Sequence, residues 1–167
     1  ASYEAEFPEG GIVYLVGNVI QKGPKSENAI LFSYAAESMA YPANEVYLVN
    51  NTFVNERPNG GVFVLLRNVP TVAKIVNNLF AGGGEVIRGA AEQSHNLNSS
   101  RPGFVDPTSF DYRLKPGSRA IDAGANPGSA HGFSLVPGFQ PVSKTGATPR
   151  PKSGAIDLGA IEFEGER

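Results

Sequence analysis

The 167-residue chain contains no cysteine, no tryptophan and only one methionine. The absence of cysteine excludes disulfides, thiolate metal sites and a cysteine nucleophile. No apolar run approaches the ~20 residues that a membrane-spanning helix needs. The charge is nearly balanced, with 14 Lys and Arg and 16 Asp and Glu, and the basic residues form no run. We therefore expect no membrane span and no nucleic-acid partner, which would require a concentrated positive face.

Strand and turn residues are abundant instead. The 20 glycines and 13 prolines make up about a fifth of the chain, against an average of roughly 12%. The apolar runs are short and β-branched, which predicts an all-β domain. Twelve of the thirteen asparagines lie in residues 1–100, whereas all four aspartates follow residue 100. The chain is of single-domain length but has two parts of different composition, 1–100 and 101–167.

One phrase recurs in the first part. Residues 13–20 align with residues 46–53 and 73–80, and a weaker copy occupies residues 93–97. Because one turn of chain cannot bury its own inner face, such a repeat predicts turns stacked at the ~4.8 Å strand spacing. Asparagine tolerates left-handed backbone and carries both a donor and an acceptor. The recurring residues are therefore predicted to form a hydrogen-bonded ladder at one corner: Asn18, Asn51, Asn78 and Asn96. An antiparallel sandwich with asparagine in its turns is the alternative.

Two of these repeats, "VYLVNNTFVN" at 46–55 and "AKIVNNLFAG" at 73–82, resemble the coils of parallel β-helix proteins of the pectate-lyase-like superfamily. The resemblance covers roughly residues 10–100. It implies a right-handed parallel β-helix, a solenoid of about four coils.

The second part contains a different duplication. Residues 118–125 return as residues 153–160, and each copy places a glycine two residues after an aspartate. This spacing is typical of a turn capped by the aspartate side chain, so Asp122 and Asp157 are predicted to be structural, with a catalytic carboxylate pair as the alternative. The wider phrase "LKPGSRAIDAG", followed by "DLGAIE", resembles the C-terminal signature of secreted bacterial β-helix proteins, including choice-of-anchor domains. It carries Arg119 where proline is common. The resemblance implies a bacterial protein that is secreted, periplasmic or on the cell surface.

Residues 101–167 are expected to form an irregular C-terminal cap on the same solenoid, because an open stack exposes unpaired backbone groups. Strand signals begin only near residue 13, and four coils are few for this fold. We therefore expect a C-terminal fragment, completed by N-terminal coils of a parent chain or by another copy. A small complete domain, capped by its own first residues, is the alternative.

Polysaccharide lyases that this chain resembles neutralise a uronate with Ca²⁺ or with basic side chains, and a base then removes the C5 proton. Calcium prefers several oxygen ligands, and residues 1–100 contain no aspartate. We predict no metal site and no cofactor in these coils, with Ca²⁺ left open. Arg67 and Arg88 end apolar strands on successive coils and are candidates for a cation pair, or are solvated arginines. His95 is the candidate for the base that removes the proton. The alternative is a structural role, in which His95 forms hydrogen bonds at the corner of its coil.

Tyr14 and Tyr47 occupy the same repeat position and could form a sugar-binding stripe. Their alternation with Val16 and Val49 favours instead an aromatic stack directed inward. We expect the chain to be the scaffold and binding part of an exported β-helix protein that engages polysaccharide. The alternative is a fragment of a polysaccharide lyase or glycoside hydrolase whose cleft is completed by N-terminal coils.

Overall fold

Three parallel sheets of four strands each form the body of the protein. The computed structural model describes residues 3–142 and 145–165. Within them there is no α-helix, and a single 3₁₀ turn spans Pro107–Ser109. Sheet A consists of β1 (Ala5–Phe7), β4 (Ile30–Tyr34), β7 (Val62–Leu66) and β10 (Glu85–Arg88). Sheet B consists of β2 (Ile12–Val16), β5 (Glu45–Val49), β8 (Val72–Val76) and β11 (Glu92–Ser94). Sheet C consists of β3 (Val19–Lys22), β6 (Thr52–Asn55), β9 (Leu79–Gly82) and β12 (Leu97–Ser99).

The chain passes from sheet B to sheet C to sheet A and then repeats the circuit one strand further along each sheet. Equivalent repeat positions therefore lie side by side: Tyr14 is opposite Tyr47, and Ile20 is opposite Phe53. This is the parallel stack of a β-helix-like solenoid, and the sandwich alternative is wrong.

The corner between sheets B and C explains why the repeat contains two adjacent asparagines. Its first residue has a positive φ in every coil: 73° at Gly17, 51° at Asn50, 58° at Asn77 and 50° at His95. This left-handed conformation is available mainly to glycine and to short polar residues. The sequence therefore has glycine or asparagine in three of the four places.

The second corner residue forms the ladder. The backbone N–H groups of Asn18, Asn51 and Asn78 each donate to Oδ1 of the next ladder residue, at 3.0, 2.9 and 2.8 Å. In the other direction, Nδ2 donates at 2.8 Å to a carbonyl of the preceding coil, from Asn51 to Leu15, Asn78 to Leu48 and Asn96 to Ile75. Each amide thus pairs backbone groups that a buried corner would otherwise leave unsatisfied.

The main hydrophobic core lies between the three sheets. The rings of Phe53 and Phe80 stack at 5.2 Å on successive coils, and Phe63 meets Phe80 edge to face. Val46, Leu48 and other fully buried aliphatic side chains of the same coils pack against this cluster.

Three antiparallel hairpins follow the coils: β13 (Phe104–Asp106) with β14 (Asp111–Leu114), β15 (Ser129–Ala130) with β16 (Phe133–Ser134), and β17 (Phe139–Pro141) with β18 (Ala147–Pro149). They pack against the sides of the stack. Tyr112 and Leu114 join a cluster with Leu79 outside sheet C, and Leu135 joins one with Val49 outside sheet B.

The duplicated Asp-x-Gly segments lie against each other and against the corner. The buried Asp157 carboxylate accepts from the N–H groups of Asp122 and Phe163, both at 2.6 Å, whereas the Asp122 side chain is exposed. Asn50 donates to the Asp157 carbonyl at 2.8 Å, and Asn77 exchanges two hydrogen bonds with the backbone of Ala125 at 2.7 and 3.0 Å. The first corner asparagines therefore hold the C-terminal segment onto the coils.

Candidate functional site

Tyr14 and Tyr47 stack on the outer face of sheet B. Their ring centroids are 5.0 Å apart and nearly parallel, at 7°. The interior side chains of these strands are Val13, Val46 and Leu48, so the expected inward stack is wrong. The tyrosines share their face with Val16 and Val49, as alternation requires, but that face is covered from outside by Leu135. Both faces of sheet B carry apolar side chains, one because it faces the interior and the other because the C-terminal segment covers it. The apolar pattern of the sequence therefore could not distinguish them.

The β15–β16 hairpin places two further side chains over this face. Its two turn residues both have positive φ, 47° at His131 and 82° at Gly132, as a tight type I′ hairpin requires. The turn brings the His131 ring to the Glu45 carboxylate, with Nε2 and Oε2 2.7 Å apart. The following strand places the Phe133 ring 5.9 Å from Tyr14. The sequence showed His131 only as part of a Gly- and Ser-rich loop, without a partner.

Glu45 is the polar centre of the arrangement. Its Oε2 accepts from the Tyr47 hydroxyl at 2.5 Å and faces His131. These two hydrogen bonds lower the pKa of Glu45 below its ordinary value, so the carboxylate is ionised at neutral pH. Burial, and then the hydrogen bond to Glu45, raise the pKa of Tyr47 to about 12. Within the described residues Oε1 of Glu45 makes no hydrogen bond, which leaves it available to accept one from a ligand.

The exposed side of this arrangement is aromatic. Tyr14 is 36% exposed and Phe133 is 66% exposed, whereas Tyr47, beside Tyr14 on the next strand, is buried. We call Tyr14, Glu45, Tyr47, His131 and Phe133 together the Tyr14 face. Two accessible rings beside an ionised carboxylate can contact the apolar side of a ring-shaped ligand and accept hydrogen bonds from its hydroxyl groups.

The three proposed catalytic residues do not join this site. Arg67 directly follows β7 and Arg88 ends β10 of sheet A, where Arg88 lies opposite Leu65 and is thus offset by two residues from Arg67. The Arg88 guanidinium pairs with Glu85 at 2.6 Å, and both side chains are exposed. His95 is exposed at the corner of the last coil, and its side chain has no hydrogen-bond partner within the described part of the chain. Their catalytic role stays a prediction.

No metal centre is evident in residues 3–142 and 145–165, where no group of three or more His, Asp or Glu side chains is placed to hold an ion. In the same residues, no helix has the length and apolar character needed to cross a membrane. The buried Arg150–Glu162 ion pair, at 2.8 Å, lies within the C-terminal segment and fastens its turns.

Comparison of the chain with protein families, curated proteins and solved structures finds no match.

Proposed function

We propose that the chain is the polysaccharide-binding part of an exported bacterial β-helix protein, and that it binds glycan on the Tyr14 face. The observation that carries the proposal is the pair of accessible rings, Tyr14 and Phe133, 5.9 Å apart beside the Glu45 carboxylate. Tyr14 stands on sheet B, which is continuous with the coil stack, and the β15–β16 hairpin holds Phe133 against it. Preorganised aromatic rings bind at a low cost in conformational entropy.

We further propose that the solenoid is a right-handed β-helix of about four coils, related to the pectate-lyase-like and choice-of-anchor proteins. Connections between parallel strands are right-handed in about 98% of known cases. The resemblance of residues 46–55 and 73–82 to the coils of right-handed β-helix proteins supports the same handedness.

The charge of the Tyr14 face indicates the kind of sugar. Glu45 is ionised at neutral pH, and a uronate carboxylate placed beside it would meet a like charge. The hydroxyl groups of a neutral sugar can instead donate to Oε1. We therefore propose a neutral glycan as ligand.

The proposal is tested by screening the protein on a glycan array and titrating any neutral glycan that binds. Tyr14→Ala or Phe133→Ala should weaken binding about tenfold, since removal of one stacking ring costs about 1.4 kcal/mol. Phe139→Ala is the matched control, because this ring is 63% exposed but lies outside the Tyr14 face, and it should bind as the wild type does.

Unchanged affinity in both Tyr14→Ala and Phe133→Ala would refute the site. Incubation with uronate polymers tests the alternative activity. Release of a 4,5-unsaturated product that absorbs in the ultraviolet would establish a lyase fragment in place of the binding role.

A further inference from the structure

The exposed surface of the Tyr14 face continues along strand β2. Ile12 lies two residues before Tyr14 on this strand and therefore projects from the same side of sheet B, and its side chain is 42% exposed. Just before the strand, the ring of Tyr41 packs on the backbone of Gly11, where a Cβ atom would come within 3.3 Å of the ring. Tyr41 is 53% exposed, so an accessible aromatic ring lies at the start of β2 as well as at Tyr14.

A buried asparagine fixes the position of Tyr41. Oδ1 of Asn44 accepts from the Gly11 N–H at 2.9 Å, and its Nδ2 donates to the Tyr41 carbonyl at 2.6 Å. The neighbouring Ala40 N–H donates to the Glu9 carbonyl at 3.0 Å. The loop that carries the ring is therefore tied to the chain on which the ring rests. A ring that is accessible yet held in place loses little conformational freedom when it binds a ligand.

The two ring positions are too far apart for a single sugar. Gly11 and Tyr14 are three residues apart, and a strand rises about 3.3 Å per residue, so the positions are separated by about 10 Å along β2. The Phe133 ring, 5.9 Å from Tyr14, belongs to the second position. Glu45 lies opposite Ile12 on the next strand, level with the interval between the two positions. One sugar ring cannot contact both positions, whereas an extended chain of several units can.

The C-terminal segment closes the Tyr14 face in the direction across the strands. Tyr47, on the next strand, is buried. On the strand after that, Lys74 lies opposite Tyr47, and its Nζ donates to the Pro127 carbonyl at 2.8 Å. Pro127 leads into the β15–β16 hairpin. A chain that crossed the strands in this direction would meet the C-terminal segment, whereas a chain along β2 would not.

From these observations we propose that Tyr41 is a further glycan-binding residue, and that the glycan on the Tyr14 face is an extended polysaccharide chain lying parallel to β2. One sugar unit contacts Tyr14 and Phe133, and another contacts Tyr41. The units between them pass Ile12 and donate hydrogen bonds to Glu45. This role of Tyr41 rests on the proposed function, to which it adds the length and the direction of the ligand. Such a site selects oligosaccharides over single sugars, because each occupied ring adds to the affinity.

The probes are oligosaccharides of the neutral glycan that binds most strongly on the array, from the monosaccharide to the hexasaccharide, titrated into the full protein by calorimetry. Affinity should rise as units are added until the chain reaches both ring positions, and longer chains should bind no more tightly. The hexasaccharide should bind about tenfold more tightly than the monosaccharide, as expected for contact with a second ring. Equal affinity at all lengths would show a single-sugar site and would overturn this role of Tyr41, while the proposed function would stand.

Substitutions at Tyr41 test its contact with the chain directly. Tyr41→Ala should weaken hexasaccharide binding about tenfold, since it removes one stacking ring. Tyr41→Phe keeps the ring and should bind as the wild type does. Circular dichroism checks that both variants are folded. Unchanged hexasaccharide affinity in folded Tyr41→Ala would overturn the proposal.

Val72→Ala distinguishes the two directions of the chain. Val72 lies opposite Glu45 on the side away from β2 and is 37% exposed. A chain along β2 does not reach it, so hexasaccharide affinity should be unchanged. Weaker binding in Val72→Ala, together with unchanged binding in Tyr41→Ala, would show that the chain crosses the strands and would overturn the proposal. If no neutral glycan binds on the array, the proposed function fails, and the role of Tyr41 fails with it.

Discussion

Substitution of Asn78 by alanine tests whether the asparagine ladder holds the coils together. The Asn78 side chain is fully buried. Its Oδ1 accepts from the Asn51 N–H at 2.9 Å, and its Nδ2 donates to the Leu48 carbonyl at 2.8 Å. Alanine removes both of these side-chain partners from backbone groups that lie inside the buried corner.

The expected cost follows from those two groups. A buried polar group that loses its partner costs about 1–3 kcal/mol, so Asn78→Ala should lower the free energy of unfolding by about 4 kcal/mol. Asn18→Ala is the matched control, because Asn18 is exposed at the end of the ladder and its side chain makes only a 3.3 Å bond to Asn51 and a 3.1 Å bond to Val16. We expect it to cost at most about 1 kcal/mol.

Guanidinium chloride unfolding of the two variants measures the difference. The midpoint of Asn78→Ala should fall well below that of Asn18→Ala, with a similar dependence on denaturant. If the two variants unfold within about 0.5 kcal/mol of each other, the ladder is a geometric coincidence and the coils are held by apolar packing alone, since additivity errors are of that size.

Three further predictions concern burial and charge. Burial raises the pKa of Tyr47 and of Tyr112 to about 12 from the ordinary tyrosine value of about 10. The contribution of these residues to stability should thus be complete below pH 10 and fall as the pH rises from 10 through 12. Urea unfolding at several pH values should show a smaller fall in Tyr47→Phe. Arg150→Met should destabilise by about 3–5 kcal/mol because it removes the buried cation that pairs with the Glu162 carboxylate, whereas adding Glu162→Leu should recover most of the loss. A thermal melt in which the double variant is no better than the single one would contradict this. Phe80→Ala removes a ring stacked on Phe53 at 5.2 Å and should cost about 3–5 kcal/mol, while the exposed Phe139→Ala should cost under about 0.5 kcal/mol; equal melting temperatures would show that the interior stack carries no stability.

The coil stack could be predicted because its determinants are local and repeated. Asn50 and Asn77 adopt left-handed backbone at the corner, and Asn51 and Asn78 accept from the coil before. These constraints act within one coil and its neighbour, so every coil has the same requirement. Asparagine therefore recurs in the sequence at positions 18, 51, 78 and 96.

The candidate site could not be predicted in the same way. Glu45 and His131 are 86 residues apart and meet at 2.7 Å, and neither belongs to a repeated phrase. Tyr14 and Tyr47 were visible as a pair, but their side of the sheet depended on whether another segment covers that face. Leu135 and the β15–β16 hairpin provide the cover, and no periodicity in the coils reports their presence.

The sequence by itself determined that the chain forms parallel turns with asparagine at one corner, because backbone groups in every buried corner need the same partners and the same residue supplies them. Only the tertiary structure decided where residues 101–142 and 145–165 lie, and therefore which faces of the coils they cover. Those outcomes depend on contacts between distant parts of the chain, such as Asn77 with Ala125 and Glu45 with His131. Each of these contacts occurs only once, so it produces no repeated pattern in the sequence.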